Sequence, residues 1–231
     1  MILGIETASL FLGAAAVENG SIRASVRILR RNVHDELLVP VLREVIRWAG
    51  GAGTLRAVAV SSGPGSFTGL RIGMSAAKGL AVSLGIPIVL VPTHAAIARR
   101  FFAREPRDEG TVLAVVSDAK GDEVFVSIHR LTGTGIMEIQ APGVRSITEL
   151  ARDLPQDIHT TGDGAAKLDA ASPGRFRLDP DATDAADAGT VARIGEEYFV
   201  AGRIADIEAC EPFYLRDFRP TQPKPLSGRK S

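Results

Sequence analysis

The chain has 231 residues, 45% of them hydrophobic, enough for one large domain or two small ones around a packed core. Its 27 Lys and Arg balance its 27 Asp and Glu, which excludes a general electrostatic attraction to nucleic acid or anionic membrane and leaves any such binding to a local patch or a helper. The single cysteine, Cys210, excludes an internal disulfide and suits a reducing cytosol.

Met1 leads directly into an apolar stretch without the basic segment and cleavage site of a secretion signal, and no apolar run reaches bilayer-spanning length, so a cytoplasmic protein away from membranes is expected. Ile2 to Ile5, Phe11 to Val17 and Ile22 to Leu29 read as strands. The short connections Glu6-Thr7-Ala8-Ser9 and Glu18-Asn19-Gly20-Ser21 make them an antiparallel trio. A helix follows from about Val33 to Ala49, with Asn32 as its cap, Asp35 and Glu36 in the first turn and a bend expected at Pro40. Its apolar residues, among them Leu38, Val41, Leu42, Val45 and Trp48, cover roughly 200° of the helical wheel, about twice what one core needs. Two surfaces must cover it, either a sheet and a neighbouring helix of the same domain or a partner molecule.

The stretch Val58 to Gly79 turns a buried strand, Arg56 to Ser62, into a close-packed helix, Thr68 to Leu84. Gly63, Pro64, Gly65 and Ser66 form the hinge, and Ser66 or Thr68 caps the helix. Leu70, Met74, Ala77, Leu80, Ala81 and Leu84 form the stripe facing the sheet, while Gly69, Ile72, Gly73, Ala76, Gly79 and Ser83 make a face of small residues. Glycine inside a helix costs roughly 1 kcal/mol against alanine, so these glycines ask for a close crossing within the chain or a flat surface for a helix of another molecule. A P-loop needs Lys followed by Ser or Thr after its second glycine, but Leu70 and Arg71 follow Gly69; the dinucleotide spacing fails as well. A generic helix N-terminus remains.

Pro87 to Val91 is a further strand and Thr93 to Arg104 a helix, giving the order βββαβαβα for a first lobe, residues 1–104. Pro106 and its charged neighbours mark the boundary. A second lobe, 105–205, holds strands at Thr111 to Ser117, Glu123 to Arg130, Ile136 to Gln140 and Ile158 to Thr161. Its helices are Ser146 to Asp153, one after Gly162-Asp163-Gly164, and Thr190 to Ala201. Residues 206–231 are a closing segment and a tail whose composition predicts disorder beyond about Phe218.

His34, His94, His129 and His159 are too far apart for a metal site of local spacing. Ser66 lies in Gly-Ser-Phe-Thr-Gly, one residue short of a nucleophile elbow. Asp118, Asp122 and Glu123 read as a solvated hairpin turn rather than a metal site. No acid, base and nucleophile can be assigned together.

The opening Ile-Leu-Gly-Ile-Glu-Thr-Ala-Ser, the His34 helix with Leu37-Leu38-Val39-Pro40, the block Gly-Pro-Gly-Ser-Phe-Thr-Gly-Leu-Arg-Ile-Gly with Ala77-Lys78-Gly79-Leu80, and the closing Pro212-Phe213-Tyr214-Leu215-Arg216 resemble the TsaB (YeaZ) family. The match is dense to about residue 98 and thin beyond until the closing motif. The resemblance implies an α/β protein of the actin-like ATPase (ASKHA) fold, two RNase H-like lobes each with a mixed sheet and helices. It implies a non-catalytic subunit that binds the metal-dependent enzyme TsaD and, with the ATPase TsaE, serves threonylcarbamoylation of adenosine 37 in tRNAs reading ANN codons. Docking would fall on the first two helices, here at His34, Leu38, Val41, Leu42 and Val45 and at Ile72, Gly73, Ala76 and Gly79, surfaces through which such chains also self-pair. Where the catalytic relative has a His-x-x-x-His motif this chain has Ser75-Ala76-Ala77-Lys78-Gly79, so no metal ligand carries over. ATP and metal are expected on the partner subunits, and tRNA contact is expected to be indirect. The phosphate turn of the fold would correspond to Glu6, Thr7 and Ser9, with Glu6 where an aspartate is usual and no glycine between Glu6 and Ser9. A stand-alone ATP-dependent phosphotransferase, or a peptidase using Ser66, are the competing readings.

Overall fold

The computed structural model describes residues 1–29, 33–182 and 186–215. In the first sheet β1 (Ile2–Glu6) pairs antiparallel with β2 (Phe11–Glu18), and β2 with β3 (Ser21–Leu29). Asn19 and Gly20 take φ of 51° and 72°, the doubly positive turn whose twist matches that of the strands it joins. After α1 (His34–Trp48), β4 (Ala57–Ser61) joins parallel to β1. After α2 (Phe67–Leu84), β5 (Ile88–Val91) joins parallel to β4. The order is β3-β2-β1-β4-β5.

The chain then repeats itself. Following α3 (Thr93–Arg104) come β6 (Val112–Asp118), β7 (Glu123–Thr132), β8 (Gly135–Ser146), α4 (Ile147–Asp153), β9 (His159–Thr161), α5 (Ala165–Ala171), β10 (Arg177–Leu178) and α6 (Ala188–Val200). The second sheet runs β10-β9-β6-β7-β8, the same topology read from the other edge. Two RNase H-like units in tandem make the actin-like architecture that the resemblance implies.

Both sheets are covered on both faces, which is why their central strands are apolar at nearly every position. In the first sheet Leu3, Ile5, Val58 and Val60 pack on α1 and α2 with Leu38, Leu42, Val45 and Met74. The alternate residues Ile2, Ala57, Ala59 and Val89 pack instead with Val191 and Ile194 of α6. In the second sheet Val116, Val124 and Val126 pack with Leu150 of α4 and Leu168 of α5. Its other face, Leu113 and Val115, takes Ile97, Ala98 and Phe101 of α3.

The lobes therefore exchange their last helices, and the division at 104/105 separates the sheets but not the packing. α3 covers the second sheet and α6 the first. Residues after α6 also stay with the first lobe rather than the second: Ala205 N donates to Ile88 O at 2.9 Å, Cys210 joins the α1–α2 core, and Phe213 N donates to Ser62 O at 2.7 Å. Hydrophobic periodicity says which face of a helix is buried but not which sheet buries it.

Three local expectations change. β8 extends to Ser146 instead of ending near Gln140, because Pro142 lies on an edge strand, where a missing donor is tolerated. α6 begins at Ala188, two residues early, since Asp187 caps it by accepting from Thr190 N at 2.8 Å. Asn32, expected as the cap of α1, lies outside the described residues, as do Arg216 and the tail; the residue at the helix start is Val33, without a side-chain cap bond. Among the described residues no helix is long and apolar enough to cross a membrane.

Candidate functional site: the interlobe cleft and the outer face of two helices

Two features could carry function, a cleft between the lobes and the outward face of α1 and α2. The cleft, about 430 Å³, opens between Ser9, His34, Ser66 and Thr68 on the first lobe and Ser117, Asp118, Lys120 and Asp163 on the second. Ser66 caps α2 by accepting from Gly69 N at 3.2 Å, and the loop before it is tied to α3 through Gly63 N to Thr93 Oγ1 at 3.0 Å.

Of the three residues matched to a phosphate turn, only Ser9 lines the cleft. The Glu6 side chain turns inward, fully buried, where its carboxylate accepts from Ala8 N at 2.8 Å and Ser9 N at 3.2 Å and from the Ser61 hydroxyl. Burial raises its pKa to about 7 against the opposing pull of those hydrogen bonds. Thr7 is buried against α2: a Cβ on Gly73 would stand 2.2 Å from Thr7 Oγ1, and one on Gly69 2.0 Å from Thr7 O. Ser66 N donates to Ala8 O at 2.7 Å. The turn thus lies on the first turn of α2, and two amides there, those of Ser66 and Gly69, are spent on the chain's own oxygens.

Across the cleft, Asp118 accepts from Lys167 Nζ at 2.7 Å and pairs with Lys120 at 3.3 Å. Burial alone would raise the Asp118 carboxyl, but the Lys167 hydrogen bond, the Lys120 amide and the Lys120 charge hold it below the usual range. Burial, and then the Asp118 charge, push Asp163 up. Its carboxylate accepts from Asp118 N at 2.9 Å. Among the described residues no three His, Cys, Asp or Glu side chains converge as a metal site would require.

Beneath the cleft lies a buried polar chain. His94 Nε2 is 3.0 Å from Ser117 Oγ and Nδ1 is 2.8 Å from Ser127 Oγ, which is 2.9 Å from His129 Nε2. Burial drives both imidazoles down, His94 to about 3 and His129 to about 4, so both are neutral at pH 7. The peptidase reading finds no such pairing at Ser66, whose hydroxyl serves as the α2 cap, while the His34 ring sits 3.4 Å from the Phe11 carbonyl.

Of the docking residues expected on α1, half-buried His34 lines the cleft and the other four lie beneath the surface. Leu38, Val41, Leu42 and Val45 are buried in the first lobe's own core, as is Gly73, because the sheet and α2 together cover most of the wide apolar arc. What α1 leaves open is Val39, 62% exposed, and Trp48, 54% exposed. On α2, Ile72 and Ala76 are half-buried, Gly79 is exposed with nothing within 4 Å of an added Cβ, and Val82 is 69% exposed. The small-residue face thus has two explanations: Gly69 and Gly73 serve contact with Thr7, and Gly79 serves nothing within the chain.

Several site residues escaped the sequence reading. Thr93, Ser117 and Asp163 reach the cleft only through the pairing of the two lobes, for which local sequence carries no signal. A clasp also forms where the closing motif returns: the Tyr214 and Phe67 rings lie 5.0 Å apart, Arg71 Nε donates to Tyr214 Oη at 3.1 Å, and its guanidinium stacks 4.0 Å from the Phe67 centroid.

The family model described as TsaD: tRNA N6-adenosine threonylcarbamoyltransferase matches residues 28–200. The tRNA threonylcarbamoyladenosine biosynthesis protein TsaB of Escherichia coli K12 is 27% identical, with 94% of each chain covered. The tRNA N6-adenosine threonylcarbamoyltransferase of Symbiobacterium thermophilum is 31% identical over 56% of this chain and 43% of its own. The structure of YeaZ from Pseudomonas aeruginosa superposes with a TM-score of 0.80 at 24% identity, covering 93% of this chain and 99% of that one, a likeness of fold.

Proposed function

We propose, because this chain belongs to the TsaD family and within it to the TsaB (YeaZ) members, that it is a non-catalytic scaffold in tRNA threonylcarbamoyladenosine biosynthesis. It docks a TsaD-type catalytic subunit through the outer face of α1 and α2, with a TsaE-type ATPase joining through the complex. Nucleotide and metal chemistry belongs to those partners. The observation that carries this reading is the apolar surface left uncovered on two adjacent helices: Val39 and Trp48 on α1, and Val82 beside Gly79 and half-buried Ala76 on α2. Large apolar side chains left open on two packed helices suit contact with a partner, and small residues let a partner helix approach closely. The inward, buried Glu6 and the two spent amides of Ser66 and Gly69 argue against an independent phosphotransferase, and the Ser66 cap against a peptidase.

Val45 and Gly73 cannot test docking, since a charge or a side chain there would disrupt the first lobe itself. Val39→Asp and Val82→Asp can, because exposed positions tolerate substitution within about 0.5 kcal/mol. The double variant is expected to keep its melting temperature and lose co-purification with the TsaD-type subunit by at least about tenfold, roughly 1.4 kcal/mol. Retention of the complex at wild-type yield would remove the docking face. Tight Mg-ATP binding by the isolated chain in calorimetry would favour the phosphotransferase instead.

A further inference from the structure

We propose that the second lobe binds a small carboxylic acid with an apolar body, in a crevice that its short helices leave open and that Arg130 rims. The two lobes repeat one topology but not one set of covers. On the first sheet α1 and α2 have 15 and 18 residues, roughly 22 and 27 Å of helix, over central strands of five residues. On the second, α4 and α5 have seven residues each, about 10 Å, over a β7 of ten residues that runs about 33 Å. The apolar face of the second sheet therefore outruns its helices. α4 starts at one end of β7, where Ile147 N donates to Asp122 O at 2.8 Å, and it stops short of the other end.

Beyond α4 a crevice of about 590 Å³ lies between the sheet and the loop that leads into β9, a volume in the range of small-ligand sites. Val112, Ile128 and Ile139 form the sheet side, Leu154 and Ile158 the loop side. Ile128, Leu154 and Ile158 belong to the lobe's core, whereas Ile139 is 41% exposed, so the apolar surface of the core continues into the crevice. The loop is already fixed. Arg175 Nη2 donates to Leu154 O at 2.8 Å and to Arg152 O at 3.2 Å, and Asp157 N donates to Arg175 O at 2.9 Å. Binding therefore needs little further ordering of that wall.

Charge selects the occupant. Two carboxylates line the crevice, and arginines of the chain stand beside both: Asp153 accepts from Arg152 Nε at 2.9 Å and pairs with Arg145, and Asp157 lies 4.0 Å from Arg177 Nε. The His159 ring lies 5.6 Å from that of Phe101, on the α3 side of the sheet. Arg130 shares its strand face with Ile128, opposite Val112, and among the described residues it has no carboxylate partner. A guanidinium so placed matches the two oxygens of a carboxylate, and the apolar floor beside it takes the hydrocarbon. A phosphate would bring a second negative charge toward Asp153 and Asp157, with Arg177 already beside Asp157.

The test labels the isoleucine methyls of the full chain and follows them by NMR during titration with phenylbutyrate and with its uncharged counterpart, phenylbutanol. Phenylbutyrate is expected to shift Ile128, Ile139 and Ile158 saturably, with a dissociation constant of about 1 mM or less, while the isoleucines of the first lobe stay in place. The alcohol should bind at least about tenfold more weakly, because it cannot form the charge-assisted pair. Arg130→Gln should weaken the acid by a similar factor and leave the alcohol unchanged; the side chain is exposed, so the variant keeps its fold. No saturable shift up to about 10 mM overturns the site, and so does equal affinity for acid and alcohol or acid binding that ignores Arg130→Gln. Equal shifts with inorganic phosphate overturn the need for an apolar body. Shifts of the same three methyls that grow with protein concentration alone would give the crevice to a second copy of the chain and overturn the proposal too.

Discussion

Replacing Gly195 with leucine is expected to lower the melting temperature by on the order of 10 °C or leave the chain aggregated, whereas Gly79→Ala should raise it by a few degrees. A Cβ at Gly195 would stand 2.3 Å from Ala59 Cβ and 3.4 Å from Ile2 Cγ2. Ala59 belongs to β4, hydrogen-bonded to β1 on one side and β5 on the other, so the strand cannot step aside without loosening both ladders. Overpacking in a rigid core costs about 1–3 kcal/mol and sometimes more. A whole leucine side chain between α6 and the sheet belongs at or above the top of that range, a large part of the roughly 5–15 kcal/mol that keeps a domain folded. In a chain of this size each kcal/mol moves the melting temperature by about 2–4 °C. Gly79 meets nothing within 4 Å, so alanine there only removes the roughly 1 kcal/mol helix penalty of glycine. Thermal unfolding followed by circular dichroism reads both variants. An unaltered transition for Gly195→Leu would mean that α6 is not seated on the first sheet, and the helix exchange would fall with it.

That helix is also where the legibility of the sequence ends. The antiparallel trio is readable because short apolar runs are separated by turn residues, Asn19-Gly20 above all, and the α2 stripe is readable because Leu70, Met74, Ala77 and Ala81 recur at helical spacing. α6 carries its own signal, small residues at Ala188, Ala192 and Gly195 on one face, but an alanine-rich segment has little apolar contrast, so its pattern points to a start two residues late. Its destination could not be read, because the contact with Ala59 joins residues more than a hundred positions apart. The burial of the α1 residues was illegible for a different reason. The wide arc of α1 correctly demanded two covers, and sheet and α2 supply most of both, which leaves Val39 and Trp48 at the surface rather than Leu38 and Val45. The cleft was half visible, as the Ser9 turn and the Ser66 hinge, while its other wall awaited the second lobe.

Stability should peak near pH 6 to 7, and Glu6→Gln should remove the alkaline side of that peak. Glu6 is an acid whose folded pKa, about 7, lies above its ordinary 4.5. Between those values the folded chain holds a proton that the unfolded chain has lost, so stability falls as pH rises from 4.5 through 7. At 1.36 kcal/mol per unit the loss approaches about 3 kcal/mol above pH 7. His94 works the opposite way. Its folded pKa of about 3 lies below the ordinary 6.5, so its contribution is complete above pH 6.5 and is lost as pH falls toward 3, on the order of 5 kcal/mol in all. His129, lowered to about 4, adds to the same acid limb. Glutamine keeps the shape of Glu6, its oxygen able to accept from Ala8 and Ser9 and its amide able to donate to Ser61, without the charge that burial penalises. The variant and the wild type should therefore unfold together near pH 4.5, and by pH 8 the variant should melt roughly 6–12 °C higher at about 2–4 °C per kcal/mol. A gap that stays constant between pH 4.5 and 8 would show that Glu6 ionises in the folded chain as it does in water, and that the turn over α2 is held by an ordinary carboxylate.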